Sequence, residues 1–273
     1  YTMVKNIMTD VKYILNTKAA IITWYLNLIF ALRNFFYNVK INCARIYITE
    51  MYEIPKLLLL SDWSIPGYFY MILFPLIVVF PTHSLFIKDK KSGINSYIKT
   101  RTGHTDYYIS KIISVFISTF ILFVLPLIVE LVLSLICLEP SANGDPSNIE
   151  YYVTAKEATT YPLHTLYFEN KFLYALVWII LFGCVCGILA IINVSIATIL
   201  RLKYSLFAML PLYIILNFTD TLDSLLKDNY TYKYIFFLKM FSYGQKNYLL
   251  LSLVMLGLLI ICVGLLLWRE MRQ

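Results

Sequence analysis

Long runs of apolar residues, broken by short charged stretches, set the pattern of this chain. Between Asp62 and Lys88 stand 25 residues without Lys, Arg, Asp or Glu. Between Lys111 and Glu139 there are 27, interrupted only by Glu130. Lys171 to Arg201 encloses 29 uncharged residues, and Lys246 to Arg269 encloses 22. A helix needs about 20 apolar residues to cross the hydrocarbon, so each run predicts a span. Two runs are shorter. Lys18 to Arg33 holds 14 uncharged residues, extended through Asn34–Tyr37 if Arg33 is tolerated, and Lys203 to Asp220 holds 16. Together they predict spans near 19–38, 67–87, 110–138, 172–200, 204–219 and 247–268. Ahead of them, residues 1–18 place Val4, Ile7, Met8, Val11, Ile14 and Leu15 on one helical face with Lys5, Lys12 and Asn16 away from it. That spacing predicts an amphipathic helix on the membrane surface. Segment 139–171 opens with turn residues, Glu139 to Pro146. Segment 220–246 mixes Leu222, Leu225, Leu226 and Tyr234–Leu238 with charges, which predicts short helices dipping into the outer leaflet.

Composition narrows the class. Of 273 residues 60% are hydrophobic, 14% charged and 16% aromatic, with mean hydropathy +0.71. A soluble domain carries about a quarter charged residues, and a disordered chain is far less apolar. Both are excluded. The expected fold is an all-α polytopic membrane protein, one transmembrane domain over 1–273. With both ends cytoplasmic, the inside segments hold 13 basic and four acidic residues, and the outside segments nine basic and 11 acidic. The positive-inside rule favours this orientation. No short apolar core before a small-residue cleavage site stands at the start, so no cleavable signal peptide is expected. Of the five cysteines, Cys184, Cys186 and Cys262 lie inside apolar runs and read as small hydrophobes.

Motifs of chemistry are missing. There is no G-x-x-x-x-G-K-[ST], no H-E-x-x-H and no G-x-S-x-G. His83, His104 and His164 are far apart. The expectation is a non-enzymatic subunit with no metal site and no nucleic-acid partner. Charge inside a span is costly, about 2.5–3.5 kcal/mol at a helix centre. Arg33 and Glu130 therefore need partners or water. Glu130 lies four residues past Pro126, where the proline frees a backbone carbonyl. Facing a translocation cavity, pairing of Arg33 with Glu130, and snorkelling of Arg33 to the headgroups are all open, and Asn193 is a further cavity candidate. Gly183 and Gly187 form a G-x-x-x-G that admits a close helix neighbour, either within one subunit or in a second copy.

The first inside loop is the most distinctive segment. It runs Lys88-Asp89-Lys90-Lys91-Ser92-Gly93-Ile94-Asn95-Ser96-Tyr97-Ile98-Lys99-Thr100-Arg101, with Lys111 entering the next span. In layout the chain resembles the permease subunits of the ABC-2 family of ABC transporters, over nearly its whole length. The matching positions are Asp89, Gly93, Arg101 and Lys111, with Asp89 standing where the family more often has Glu. The resemblance implies six transmembrane helices, an amphipathic helix before the first, and a coupling helix within 88–104 between spans two and three. It implies a separate ATP-binding subunit, contacted by Asp89, Lys90, Lys91, Gly93, Ile94, Tyr97, Ile98 and Arg101, which would bind the ATP and Mg that this chain does not. Two permease copies would work together in the cytoplasmic membrane of a bacterium. The implied function is export of an amphipathic or hydrophobic substrate, with peptide favoured. An ion-driven secondary transporter and a non-transporting membrane scaffold or immunity protein are the alternatives.

Overall fold

Hydrocarbon offers no water to a backbone N–H or C=O, so apolar runs of this length bond within themselves and fold as helix. The computed structural model describes residues 2–43, 47–48, 51–61, 64–83, 85, 103–139, 142, 161–200, 204, 207–226, 233–241 and 248–271. Among them the regular structure is all helical. The elements are α1 (Thr2–Leu15), α2 (Lys18–Cys43), α3 (Ile54–Leu57), α4 (Ile65–Val79), α5 (His104–Cys137), α6 (His164–Glu169), α7 (Lys171–Ile199), α8 (Leu210–Leu226), α9 (Tyr234–Leu238) and α10 (Tyr248–Met271). Short 3-10 turns cover Leu59–Ser61 and Phe207–Met209.

Each predicted span overlaps a helix. Three helical stretches are long and apolar enough to cross a membrane: Lys18–Ile41, Thr105–Cys137 and Lys171–Ile199. That is the character of a membrane protein. The other three apolar stretches, Ile65–Val79, Phe207–Thr219 and Ser252–Trp268, are shorter. The 15 residues of α4 rise only about 22 Å at 1.5 Å each. This helix stops well before the predicted end at 87, because Pro81 follows directly on its C-cap Phe80. The start of α5 moves the other way. Gly103 takes a φ of 87°, a conformation open to glycine, and the helix begins at His104 rather than 110.

Two ends of the bundle gather different parts of the chain. At one end Ile14 of α1, Leu85, Tyr107, Tyr108 and Val115 of α5, Ala190, Ile191 and Val194 of α7, and Leu266 of α10 form one apolar cluster. At the far end residues 51–61, 161–169 and 233–241 meet. There Met240 N–H donates to Leu60 O at 2.9 Å, and the Tyr161 and Phe241 rings lie 4.9 Å apart. Described parts of the predicted inside segments 1–18 and 88–110 thus lie at one end, and described parts of the predicted outside segments at the other. The far-end segments are not free loops. Every residue from Tyr52 to Ser61 is buried, and Met240 and Phe241 belong to the main core.

Prolines within two helices each free a carbonyl, and each carbonyl is bonded from elsewhere. Pro126 frees Leu122 O, which accepts from Asn27 Nδ2 of α2 at 3.1 Å. Pro75 frees Met71 O, which accepts from the Tyr234 hydroxyl at 3.4 Å. Broken helix is tolerated at membrane depth where neighbours satisfy the backbone in this way.

Candidate functional site

The polar centre of the bundle lies where α2, α5 and segment 51–61 meet. Irregular backbone cannot satisfy its own groups, so residues 57–61 need donors and acceptors from their neighbours. Asn34 and Asn38, one turn apart on α2, both donate to Leu57 O, at 2.8 and 2.6 Å. Asn34 Nδ2 also donates to Glu130 Oε1 at 2.5 Å, and Leu59 N–H donates to the same oxygen at 3.0 Å. The Ser64 hydroxyl donates to Asn34 Oδ1 and accepts from Gly67 N–H at 3.1 Å, which starts α4. Ser61 turns its hydroxyl onto Lys56 O and Leu58 O. Glu130 is 1% exposed. Its 34-residue helix ends seven positions later, so the carboxyl sits roughly 10 Å from the far end of α5.

Arg33 takes no part. It is exposed on α2, and the Glu130 carboxyl accepts instead from its sequence neighbour Asn34. Asn193 is fully buried. Its Nδ2 donates to Ala208 O at 2.8 Å, and its Oδ1 accepts from Leu212 N–H at 3.2 Å. It therefore fastens the start of α8, where Pro211 offers no N–H, against α7. Gly183 and Gly187 let α7 lie against α5. A Cβ built at Gly183 would collide with Val124 Cγ2 and touch Phe120 at 3.0 Å, and one at Gly187 would come within 2.5 Å of Phe116. The G-x-x-x-G is filled within the chain. Cys186, between the two glycines, is buried and free.

Lys111 and Asp10 join α5 to α1. Nζ stands 3.0 Å from Asp10 Oδ1, with the lysine side chain only 4% exposed. The ammonium also lies over the Tyr13 and Tyr107 rings, at 5.9 and 5.8 Å. Ser114 adds a bond to Ile7 O at 3.3 Å. The apolar face of α1 is thereby divided. Ile14 packs on α5 while Val4 and Met8 remain exposed. Asp89, Lys90, Lys91, Gly93, Ile94, Tyr97, Ile98 and Arg101 lie outside the described residues.

A second ion pair holds the far end. Glu53, buried, accepts from the Tyr167 hydroxyl at 2.5 Å and from Lys171 Nζ at 3.1 Å. Burial raises the Tyr167 pKa, and the Glu53 charge raises it further. A free tyrosine ionises near pH 10. The folded chain keeps this proton where the unfolded chain gives it up, so the stabilisation is complete below about pH 10 and falls away above it. In alkaline titration of detergent-solubilised protein, Tyr167→Phe should remove part of that loss. An unchanged alkaline limb would show that the hydroxyl is not held as described.

Three asparagines of α2 therefore carry polar duties that a search for in-span charge passes over. Asn27, Asn34 and Asn38 repeat at intervals of seven and four, one face of a helix. That spacing was the signal available in the sequence. Among the described residues no group of three or more His, Cys, Asp or Glu converges as a metal site would require. No family model, curated protein or solved structure matches this chain.

Proposed function

We propose that the chain is the membrane subunit of an ABC-2 type exporter. Segment 88–104 docks on a separate ATP-binding subunit, which holds ATP and magnesium, and a second permease copy completes the assembly. The cargo is an amphipathic or hydrophobic molecule, with peptide favoured. The membrane is the cytoplasmic one, and both termini face the cytoplasm. The observation that carries this reading is the junction at the α1 end. Leu85 and the first turns of α5 pack with Ile14 of α1, and Asp10–Lys111 ties the two helices together. Both ends of the 86–102 connection are anchored in the same cluster. A push on that connection reaches α5, and through the glycine contact it reaches α7. Packed helices can carry such a displacement as rigid bodies.

The test is co-purification of the full-length chain with the ATPase encoded beside it. A stoichiometric complex is expected, lost when Ile94, Tyr97 and Ile98 are changed to Asp. Active transport in liposomes without any ATPase would overturn the reading. One observation favours an ion-driven carrier instead, namely non-helical backbone inserted beside an in-span carboxyl. Liposomes given an ion gradient and no ATPase separate the two.

A further inference from the structure

We propose that Glu130 is a proton-binding site, and that its carboxylic acid form latches segment 57–61 at the far end of the bundle. Its two oxygens are treated unequally. Oε1 accepts from both Asn34 Nδ2 and Leu59 N–H, as the carbonyl oxygen of an acid does. Oε2 is buried, and no donor reaches it. A carboxylate spreads its charge over both oxygens and attracts donors to each. Among the described residues no cation stands within ion-pair distance of Glu130; the pairs Lys111–Asp10 and Lys171–Glu53 lie elsewhere. A charge without a counter-ion in such a place is far costlier than a neutral acid, even one whose O–H finds no acceptor.

The groups facing it are neutral. Asn34 comes from α2, Leu59 from the inserted segment and Tyr70 from α4, with Cys186 of α7 beyond the tyrosine. Opening therefore has a defined proton balance. When 57–61 leaves and water reaches the carboxyl, the O–H bond breaks, the electron pair stays on the carboxylate and the proton goes to water. The closed arrangement holds one proton more than the open one, so rising pH favours opening.

Three measurements on the full chain in nanodiscs decide the matter. In the infrared difference between the wild type and Glu130→Gln, a protonated-carboxyl C=O band that shifts in D2O should be lost. Loss of carboxylate bands instead would overturn the proposal. By hydrogen exchange, Glu130→Gln, which mimics the acid, should keep Leu59 N–H protected within a few-fold of wild type. Glu130→Ala should speed its exchange about tenfold or more, as expected for a lost bond to a buried acceptor. Equal losses in Gln and Ala would count against the neutral form. Protection corrected for intrinsic exchange should decline with pH in the wild type and stay flat in Glu130→Gln, and parallel slopes would sink the latch. None of these readouts involves an ATPase, so they stand or fall separately from the export reading.

Discussion

Gly183→Leu is expected to prevent α5 and α7 from packing, and the chain should be recovered aggregated or degraded rather than folded. A single methyl at this position already collides with Val124, a β-branched side chain that is itself buried. The neighbouring Phe120 ring, 3.0 Å away, blocks sideways escape. Gly183→Ala should therefore cost about 3 kcal/mol, the upper range for overpacking a well-filled core, and leucine far more. At Gly187 the obstructing group is the Phe116 ring, which is only partly buried and can turn. Gly187→Ala should cost about 1–2 kcal/mol on the same scale. Gly257 of α10 is the control. Nothing lies within 4 Å of a Cβ there, and alanine should gain up to about 1 kcal/mol from helix propensity alone. Thermal unfolding in detergent would rank the three. Equal effects at 183 and 257 would show that α5 and α7 do not approach as described.

The second large effect is expected at Asn34. Asn34→Leu keeps the branched outline, at larger volume, but removes three bonds at once, to Leu57 O, Glu130 Oε1 and the Ser64 hydroxyl. Leu57 O is still served by Asn38. The serine loses its acceptor, and Glu130 retains only Leu59 N–H. Buried polar groups stripped of partners cost about 1–3 kcal/mol each, so a loss of about 3–4 kcal/mol follows. Asn38→Leu removes one bond to a carbonyl that keeps another donor, and about 1 kcal/mol is the expected loss. The double variant strips Leu57 O entirely. Its loss should exceed the sum of the two singles, because both asparagines serve one acceptor. Strict additivity in denaturant unfolding would disprove the shared carbonyl.

The helices were legible because hydrophobicity and the absence of charge act locally, residue by residue. The expected sidedness rests on a similarly local signal, the placement of Lys and Arg in the loops. Glu130 stood out as an in-span charge, and Pro126 beside it foretold a freed carbonyl. Its acceptance by Asn27 was not foreseeable, because a hydrogen bond 95 residues long leaves no mark on either end alone. The same holds for Asn34 and Leu57. Segment 52–61 contains Glu53, Lys56 and Pro55, and by composition it reads as an exposed connection. The polar face of α2, with Tyr167 and Lys171, makes its burial tolerable, and those lie in other parts of the chain. Asn193 stood out by its polarity within a span, and its bonds to Ala208 O and Leu212 N–H show it fastening α8 to α7.

The bond from Tyr234 to Met71 O has a consequence for how the protein is made. The two residues lie 163 positions apart. At about 5–20 residues per second a ribosome needs roughly 8–30 s to cover that distance. For that interval the carbonyl above Pro75 lacks its eventual donor, and Leu60 O likewise waits for Met240. A chain cut short before residue 234 never receives either bond. The break in α4 thus marks an unfinished protein, and it is covered only when the last quarter of the chain arrives.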